Sequence, residues 1–347
     1  MLTTHMEKEI LEQAQVLPGI LQKNEAVLNC IAHELKSRPV PFAIMAARGT
    51  SDNAAVFGKY VMEVATGIPV VLAAPSVSTA YSTPYRAKGA LIIGISQSGE
   101  AADVLGVIAD GNRNGALTVA ITNNPVSALA YEAKYHLDCG VGPELSVAAT
   151  KTFTAELLLL AGLFMLLSPE SGLILDVQLF ADDLRVCIGL KDELFNLAEK
   201  HRQMESCFTL SRGYDYCTAL ESALKMQECA YVRSHAFSLA DFMHGPISLV
   251  DEGTHCFLFC RKGSFQIEYI GLLEKLKGML ASVTVFTDDV TIENMAENVI
   301  EVPRPSWEIL SPIYFTVAAQ LYACGLSLAK GLNPDCPRNL RKVTVTR

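Results

Sequence analysis

Ser96, Gln97 and Ser98 place two hydroxyls and one amide side chain in a short turn. The apolar run 90–95 before the turn predicts a buried strand, and residues 101–112 after it predict a helix. Backbone N–H groups at the start of a helix bind small anions well, and the helix dipole adds positive potential there. The turn therefore indicates a site for a single phosphate group, unless its serines only cap the helix.

Lys225 and Glu228 are a second pair of residues whose types could do chemistry. They lie three residues apart on a predicted helix, 216–231, so their side chains share one face. Taken alone, this spacing is typical of a surface ion pair, which contributes little to stability. The spacing by itself leaves the role of the pair open.

His244 and Lys342 are isolated candidates. His244 precedes a Gly-Pro pair in a loop after a short predicted helix, and a lone histidine of this kind is more often structural. Lys342 lies in the basic segment 338–342, and a basic tail is normally solvated and frayed. Neither residue indicates a function without a wider pattern.

The bulk composition restricts the class of protein. The chain has 347 residues, of which 50% are hydrophobic and 19% charged, so we expect two ordinary domains with a large core. The net charge of −9 argues against a nucleic-acid partner, because the phosphate backbone is bound by an excess of Lys and Arg. A small anionic ligand remains compatible with this charge, since local donors decide its binding.

Cysteine usage and hydropathy bear on the cellular compartment. Ten cysteines are scattered along the chain without a CxxC pair or a zinc-like histidine spacing, so we expect reduced thiols and no metal site. The N-terminus lacks a basic start followed by an apolar segment, which predicts no signal peptide. The apolar run 157–167 is too short to span a bilayer and predicts a buried core helix. We therefore expect a cytoplasmic protein with no membrane partner.

Strands and helices alternate along the chain, which predicts an α/β fold with parallel sheets. The pattern begins again after a predicted connector helix, 177–202. Both halves open with a strand and a turn that starts with Arg-Gly and ends with Asp, at residues 48–52 and 212–215. This repetition predicts two doubly wound, flavodoxin-like parallel-sheet domains in tandem. Ligands of such sheets bind at the carboxyl ends of strands, where the turns 48–52 and 96–100 lie.

The same patterns divide the chain into five segments. They are an N-terminal helical segment (1–35), a first α/β domain (36–168), a helical connector (169–205), a second α/β domain (206–332) and a C-terminal tail (333–347).

Seven motifs follow one another in the order typical of a single known family. They are 6–13 (MEKEILEQ), 49–51 (GTS), 96–100 (SQSGE), 149–154 (ATKTFT), 221–228 (ESALKMQE), 244–249 (HGPISL) and 337–342 (PRNLRK). On these motifs the chain resembles the sugar isomerase (SIS) family, and more closely the isomerase half of glucosamine-6-phosphate synthases, the glutamine–fructose-6-phosphate aminotransferases. The resemblance runs nearly end to end and implies two SIS domains in tandem.

In the synthases, a glutaminase half with a nucleophilic cysteine precedes this module. Here only Met1 to His5 precede the matching segment. The resemblance therefore implies a chain that cannot release ammonia from glutamine.

The resemblance assigns Ser96, Gln97 and Ser98 to the phosphate of a sugar phosphate. It places Thr50 beside the phosphate and Ser51 beside the sugar. The serines of both turns thus gain a common role in ligand binding.

Further family positions around the sugar are Gly49, Glu144, Val147 and Ala149. Ala149 stands where the synthases carry Ser, and Ala101 stands where the family often has Thr. Both departures remove a hydroxyl, so they weaken the case for the synthases' own substrate.

The resemblance also implies a set of catalytic residues. Glu228 would move a proton between C1 and C2 of an open-chain sugar through an enediol or enamine, and Lys225 would hold this acid or stabilise an oxyanion. His244 would open the sugar ring in the site of a neighbouring subunit, which implies a homodimer. Lys342, in a tail that folds over the site, would form a Schiff base with C2.

We expect an enzyme that converts glucosamine 6-phosphate to fructose 6-phosphate and ammonia. Simple aldose–ketose isomerisation, deglycation of a fructosamine phosphate, and amino transfer from free ammonia or a partner glutaminase are alternatives. A non-catalytic sugar-phosphate sensor is the alternative of another class, although such proteins lose the base that Glu228 represents. The chemistry requires no metal or organic cofactor.

Overall fold

The structure is a computed structural model that describes residues 3–168 and 175–342. The N-terminal segment, the connector and the tail named above are therefore described only in part, because residues 1–2, 169–174 and 343–347 lie outside the described residues. The chain forms two compact units, each containing one sheet. The first-sheet unit takes its described residues from Gln15–Glu144, Ala149–Ala181 and Arg341–Arg347, and the second-sheet unit from Met1–Ala14, Leu145–Ala148 and Asp182–Leu340.

Helices alternate with strands in both units. The α-helices in the described residues are α1 (His5–Leu11), α2 (Gln13–Val16), α3 (Ile20–Ser37), α4 (Thr50–Thr66), α5 (Ser76–Thr79), α6 (Ala102–Arg113), α7 (Ala128–Glu132), α8 (Lys151–Leu167), α9 (Val177–Gly189), α10 (Lys191–Lys200), α11 (Tyr216–Ala230), α12 (Leu239–Met243), α13 (Gln266–Gly278) and α14 (Ser311–Ala329). Short 3-10 helices lie at Gly213–Asp215, Pro246–Leu249, Glu293–Met295 and Glu308–Leu310.

The first sheet is parallel throughout, with strand order β2-β1-β3-β4-β5. Its strands in the described residues are β1 (Ala43–Ala46), β2 (Val70–Leu72), β3 (Leu91–Ile95), β4 (Leu117–Thr122) and β5 (Tyr135–Asp138). Every residue of β1, β3 and β4 is buried, as expected for central strands covered by helices on both faces.

The second sheet repeats this topology with strand order β10-β9-β8-β6-β7, again parallel. Its strands in the described residues are β6 (Ser206–Ser211), β7 (Arg233–Ser238), β8 (His255–Cys260), β9 (Ser282–Thr287) and β10 (Asn298–Glu301). In each sheet the first strand of the unit lies between its second and third strands. The predicted fold class, two doubly wound parallel sheets in tandem, is confirmed.

The sequence patterns missed two elements of the second-sheet unit. Strand β7 lies at the edge of its sheet, where Arg233 and His235 are exposed, so it lacks the apolar run that predicts a buried strand. Helix α13 buries only four of its residues, which gives it a weak apolar stripe.

Two predicted helical segments are interrupted. The connector helix 177–202 is two helices, α9 and α10, separated at Leu190, and α9 ends on Gly189 because glycine is a poor helix former. The N-terminal segment is interrupted near Pro18-Gly19 and again at Glu12, between α1 and α2.

Among the described residues, one helical segment, Glu308–Ala329, is long and apolar enough to cross a membrane. Its apolar window is 94% buried inside the protein, which is typical of a core helix. The ten cysteines all lie within the described residues and form no disulfide there, and eight of them are buried.

Candidate active site

The turns after β1 and β3 are neighbours at one edge of the first sheet. Ala46 of β1 pairs in register with Gly94 of β3, so both turns leave the carboxyl ends of adjacent parallel strands. Strand β1 also pairs with β2 on its other side, which makes this the switch point of the sheet. Doubly wound sheets bind their ligands at this point.

Hydrogen bonds within the turn hold Ser96 and Ser98 in fixed positions. The backbone N–H of Gly99 donates to Ser96 Oγ at 3.2 Å and to the Ser96 carbonyl at 3.1 Å. The N–H of Glu100 donates to Ser98 Oγ at 3.3 Å. Because both hydroxyls accept from the backbone, each keeps its own hydrogen for an incoming oxygen.

Helix α6 begins directly after this turn, and its N-terminus carries no side-chain cap. Ala101 is the N-cap residue and makes no capping hydrogen bond, while Asp103 accepts from the N–H of Val104 at 3.0 Å. The start of a helix of 12 residues therefore faces the end of the serine turn. Ala101, which has no hydroxyl where the family often has Thr, is the residue at this junction.

Arg48 is a residue of this region that the sequence analysis treated only as part of a turn. Its Nε donates to Oδ2 of Asp103 at 2.6 Å, which ties the turn after β1 to the first turn of α6. The Arg48 side chain is 48% exposed, so its guanidinium is also reachable from solvent. The Arg-Gly pair was the only sequence signal for this residue.

The turn after β1 leads into α4 through a conformation that requires glycine. Gly49 has φ +56° and is the N-cap of α4, and Thr50 is the half-buried first residue of the helix. Ser51 is buried, and its hydroxyl donates to Glu156 Oε1 of α8 at 2.8 Å. The Ser51 hydroxyl therefore donates its hydrogen bond within the unit, and toward a ligand it can only accept one.

Glu144 is a buried carboxylate at the start of α8. It accepts from the N–H groups of Thr150 and Thr152 at 2.9 and 3.1 Å, from the Thr152 hydroxyl at 2.8 Å, and from Lys342 Nζ at 3.1 Å. Burial alone would raise the pKa of Glu144, but the Lys342 ammonium and these hydrogen bonds lower it below the usual range. The family resemblance implied a place near the sugar for Glu144 and for Lys342 without pairing them, and in the structure the two residues form an ion pair.

Val147 and Ala149, which follow Glu144 in the same loop, are both half-buried. Neither residue carries a polar side chain, so each can shape a ligand site only through its apolar surface and backbone. The buried residue between Glu144 and Val147 in the loop is Ser146, whose hydroxyl donates to Glu9 at 2.6 Å. Glu9 is a second residue that the sequence analysis did not single out.

Glu228 and Lys225 lie together on α11, as their spacing predicted. Lys225 Nζ lies 2.5 Å from Glu228 Oε2 and 3.2 Å from Glu221 Oε1. Lys225 and Glu221 are each 1% exposed, whereas Glu228 is 22% exposed, so this is not the surface ion pair that the spacing alone indicated. Burial lowers the pKa of Lys225, but the two carboxylates raise it above its usual range, so the lysine is charged and clamps Glu228.

His244 is the exposed C-cap residue of α12. It precedes Gly245 and the 3-10 helix Pro246–Leu249, and two exposed apolar side chains, Met243 and Leu249, flank it in sequence. A histidine in this position is not a packed core residue of its own unit.

The predicted site residues lie in both units. The first-sheet unit contains the switch-point turns (Gly49, Thr50, Ser51, Ser96, Gln97, Ser98) and the Glu144–Lys342 pair, with Ala149 in the loop that precedes α8. The second-sheet unit contains the Lys225–Glu228 pair, Val147 and His244. Within the described part of the chain, no cluster of three or more His, Cys, Asp or Glu residues could hold a metal ion.

Comparison with known proteins agrees with this architecture. The sequence profile of the SIS domain matches residues 42–166 and 201–330. The chain therefore belongs to the SIS family.

Its relatives include the synthases. The glutamine–fructose-6-phosphate aminotransferase (isomerizing) of Aquifex aeolicus is 33% identical over 346 residues, which cover 98% of this chain and 57% of that protein. The chain thus spans less than two thirds of the length of this curated relative. The match confirms the predicted resemblance to one part of the synthases.

Two solved structures share the fold. The C-terminal domain of glucosamine-fructose-6-phosphate aminotransferase from Francisella tularensis has a TM-score of 0.84 at 24% identity, covering 97% of this chain and 99% of that one. Glucosamine-6-phosphate deaminase from Thermotoga maritima has a TM-score of 0.70 at 21% identity, covering 99% and 100%. At these identities the likeness concerns the fold alone.

Proposed function

We propose that this chain is a phosphosugar isomerase and deaminase that converts glucosamine 6-phosphate to fructose 6-phosphate and ammonia. The observation that carries the proposal is Glu228, whose carboxylate is fixed by a buried lysine at 2.5 Å yet stays 22% exposed. A carboxylate that is both held and reachable suits a proton transfer on carbon. The name of the Aquifex relative, an isomerizing aminotransferase, supports chemistry on an amino-sugar phosphate.

The phosphate group is assigned to the turn after β3. Ser96 and Ser98 keep their hydroxyl hydrogens for its oxygens, and Gln97 lies between them. The uncapped start of α6 supplies positive potential at the same place. Thr50, at the start of α4 after the neighbouring strand, is assigned to the same phosphate.

The proposed reaction moves one proton from C2 to C1 and one from the amino nitrogen to O1, and it breaks one C–N bond. His244 assists ring opening, and Glu228 takes the proton from C2 of the open-chain amino sugar and returns it to C1. The nitrogen at C2 is then an imine. Water adds to this carbon and ammonia leaves, which gives the ketone of fructose 6-phosphate.

Lys342 is proposed to exchange with the imine nitrogen before water adds. Its amine would form a Schiff base at C2 and release ammonia, and hydrolysis would then free the lysine. The contact with Glu144 at 3.1 Å holds the lysine in place, and the ammonia that leaves carries the protons that the lysine gives up. Lys225 is assigned no bond-making role, because two carboxylates already occupy its ammonium.

The same residues also support the reverse reaction and a related reaction without an amine. Run in reverse with free ammonia they form the amino sugar, and without an amine they interconvert aldose and ketose phosphates. The sequence identity with an aminotransferase favours amino-sugar chemistry. The alanines at positions 101 and 149 argue for a substrate different from that of the synthases, because they remove hydroxyls expected around the ligand.

An assay of glucosamine 6-phosphate for ammonia and for aldose–ketose conversion tests the proposal. We expect Glu228→Gln to lower both rates by about 10²- to 10⁴-fold, the typical contribution of a general base. Glu221→Gln is the matched control, because it removes the other carboxylate beside Lys225 and keeps Glu228. A wild-type chain that binds the sugar phosphate but converts none of it would instead be a sensor.

We further propose a homodimer in which His244 serves the partner's site. Its exposure and its exposed apolar neighbours support this. Mixing the inactive variants Glu228→Gln and His244→Ala should restore about a quarter of the activity, since half of a random mixture is heterodimer with one complete site. Failure of the mixture to recover any activity would contradict the proposal.

We also propose a cytoplasmic location and domain boundaries at 36–168 and 206–332. The unpaired cysteines support the first, because oxidising compartments favour disulfides. Fractionation of cells expressing a tagged chain tests it.

A further inference from the structure

Glu9 of α1 binds the backbone of an irregular loop. The N–H of Leu145 donates to its carboxylate, the N–H of Ser146 lies 3.3 Å from each of its oxygens, and the Ser146 hydroxyl donates to Oε2 at 2.6 Å. These contacts join residues 136 and 137 positions apart in the chain. The segment 145–148, which we call the Glu9 loop, has no helix or strand of its own.

The carboxylate is buried, and so is its partner Ser146. Glu9 is 4% exposed and Ser146 is fully buried. The Ser146 hydroxyl also lies 2.7 Å from the carbonyl of Ala148, so its single hydrogen is shared between the acid and the loop's own backbone. A buried charge is stable only when donors surround it, and here the loop supplies them.

We propose that Glu9 is a positioning residue for the sugar-binding part of the site. By fixing the backbone at Leu145 and Ser146, it sets the place of Val147, the next residue and one of the predicted sugar-binding positions. The identity of the ligand in this inference rests on the proposed function, whereas the contacts of Glu9 with the loop do not depend on it. Glu9 touches no reacting atom and acts through the loop.

A second acid on the same helix separates positioning from plain stability. Glu7 is 6% exposed, as buried as Glu9, but it pairs with Lys191 Nζ of α10 at 2.5 Å. Glu7→Gln and Glu9→Gln therefore remove one buried charge each from α1, and only the second change frees the Glu9 loop. Glu7 has no assigned role in binding or catalysis.

The experiment compares these two variants with the wild-type chain in two measurements. Hydrogen exchange of the Leu145 and Ser146 amides reports the loop directly. Titration with fructose 6-phosphate and, separately, with inorganic phosphate reports the site. For Glu9→Gln we expect faster exchange at both amides and a Kd for fructose 6-phosphate raised roughly tenfold, a change of about 1.4 kcal/mol, with the Kd for inorganic phosphate unchanged.

Glu7→Gln should change neither exchange nor either Kd. The proposal is overturned if Glu9→Gln leaves exchange at both amides unchanged, if it weakens inorganic phosphate and the sugar phosphate equally, or if Glu7→Gln has the same effects. If Glu9→Gln does not fold, Ser146→Ala takes its place, because it keeps the acid and removes one loop contact. A wild-type chain that binds phosphate but no sugar phosphate refutes the proposed function, and the exchange data then still decide whether Glu9 holds the loop.

Discussion

At the scale of single residues, each unit contains one predicted acid–lysine pair, and the two pairs have opposite burial. In the Lys225–Glu228 pair the lysine is buried and the acid is 22% exposed. In the Glu144–Lys342 pair the acid is buried and the lysine is 27% exposed. One pair thus presents a carboxylate and the other an amine, which are the two groups that proton transfer and imine chemistry require.

Lys225→Met tests how much the buried pair depends on its lysine. The change leaves Glu221 buried with its charge, and removing one partner of a buried ion pair costs about 3–5 kcal/mol. We expect the free energy of unfolding, measured in urea at pH 8, to fall by an amount in this range. Arg202→Met is the control, since its pair with Glu199 has the spacing of Lys225 and Glu228 but is more than half exposed, and we expect a loss below about 1 kcal/mol. Equal losses of unfolding free energy in the two variants would contradict a special contribution of the buried Lys225 to stability.

Ala101→Thr tests the missing hydroxyl at the start of α6. Position 101 has the extended conformation of an N-cap and no capping bond, so threonine should stabilise the helix by about 1 kcal/mol. A hydroxyl there should also tighten the binding of inorganic phosphate in calorimetric titration. Ala102→Thr, one residue further and exposed, should do neither. Unchanged phosphate affinity in Ala101→Thr would separate this position from the anion site.

At the scale of elements, the turn after β3 depends on its glycine. Gly99 has φ +69°, and a Cβ there would lie 2.1 Å from Ser127 Oγ. Gly99→Ala should therefore lower the thermal midpoint and abolish phosphate binding, because the serine turn must move. Gly89→Ala has a similar φ of +78° with nothing near its Cβ, so it should cost only about 1–2 kcal/mol of backbone strain and leave binding intact. If the two variants behave alike, packing against Ser127 does not fix the turn.

The sequence could predict elements whose signals are local. The apolar run before Ser96 and the small polar residues after it define a strand and a turn within ten residues, and both are present. The edge strand β7 escaped because Arg233 and His235 face solvent and break its apolar pattern. Local patterns therefore predict central elements better than edges.

The contacts that assemble the site could not be predicted in the same way. Arg48 meets Asp103 across 55 positions, Glu9 meets Ser146 across 137, and Glu144 meets Lys342 across 198. Charged residues are common, and which acid meets which base depends on the packing of helices around the sheet. The types of these residues were visible in the sequence, and their partners were not.

At the scale of the whole molecule, the two sheets have the same strand order but differ at their switch points. In the second sheet, Arg261 after β8 lies 3.3 Å from Asp215 after β6, and both are buried. Burial raises the pKa of Asp215 to about 7 although the arginine opposes this. The turn after β8 thus presents a buried arginine paired with an acid, whereas the turn after β3 presents the hydroxyls of Ser96 and Ser98.

The stability of the second-sheet unit should depend on pH through His201. Burial, with His255 nearby, lowers the pKa of His201 from 6.5 to about 4. At His201 the unfolded chain then binds more protons between these values, so the contribution of His201 to stability is complete above pH 6.5 and falls as the pH drops toward 4. We expect this contribution to fall by up to about 3 kcal/mol between pH 7 and pH 4, measured as the difference between the wild-type chain and His201→Gln in urea unfolding, because Asp215 acts in the opposite direction over the same range. His33→Gln, at an exposed position, should leave the wild-type profile unchanged.

If Glu228 moves a proton between C1 and C2 of a sugar phosphate, deuterium from the solvent should enter the sugar at these carbons. Fructose 6-phosphate is incubated with the wild-type chain in deuterated water, and deuterium at C1 is followed by nuclear magnetic resonance. This readout requires neither ammonia nor a known direction of the reaction. We expect incorporation of deuterium at C1 by the wild-type chain and by Glu221→Gln, and a rate at least about 10²-fold lower for Glu228→Gln. Binding of fructose 6-phosphate without any exchange, or exchange by Glu228→Gln at the wild-type rate, would contradict this role of Glu228.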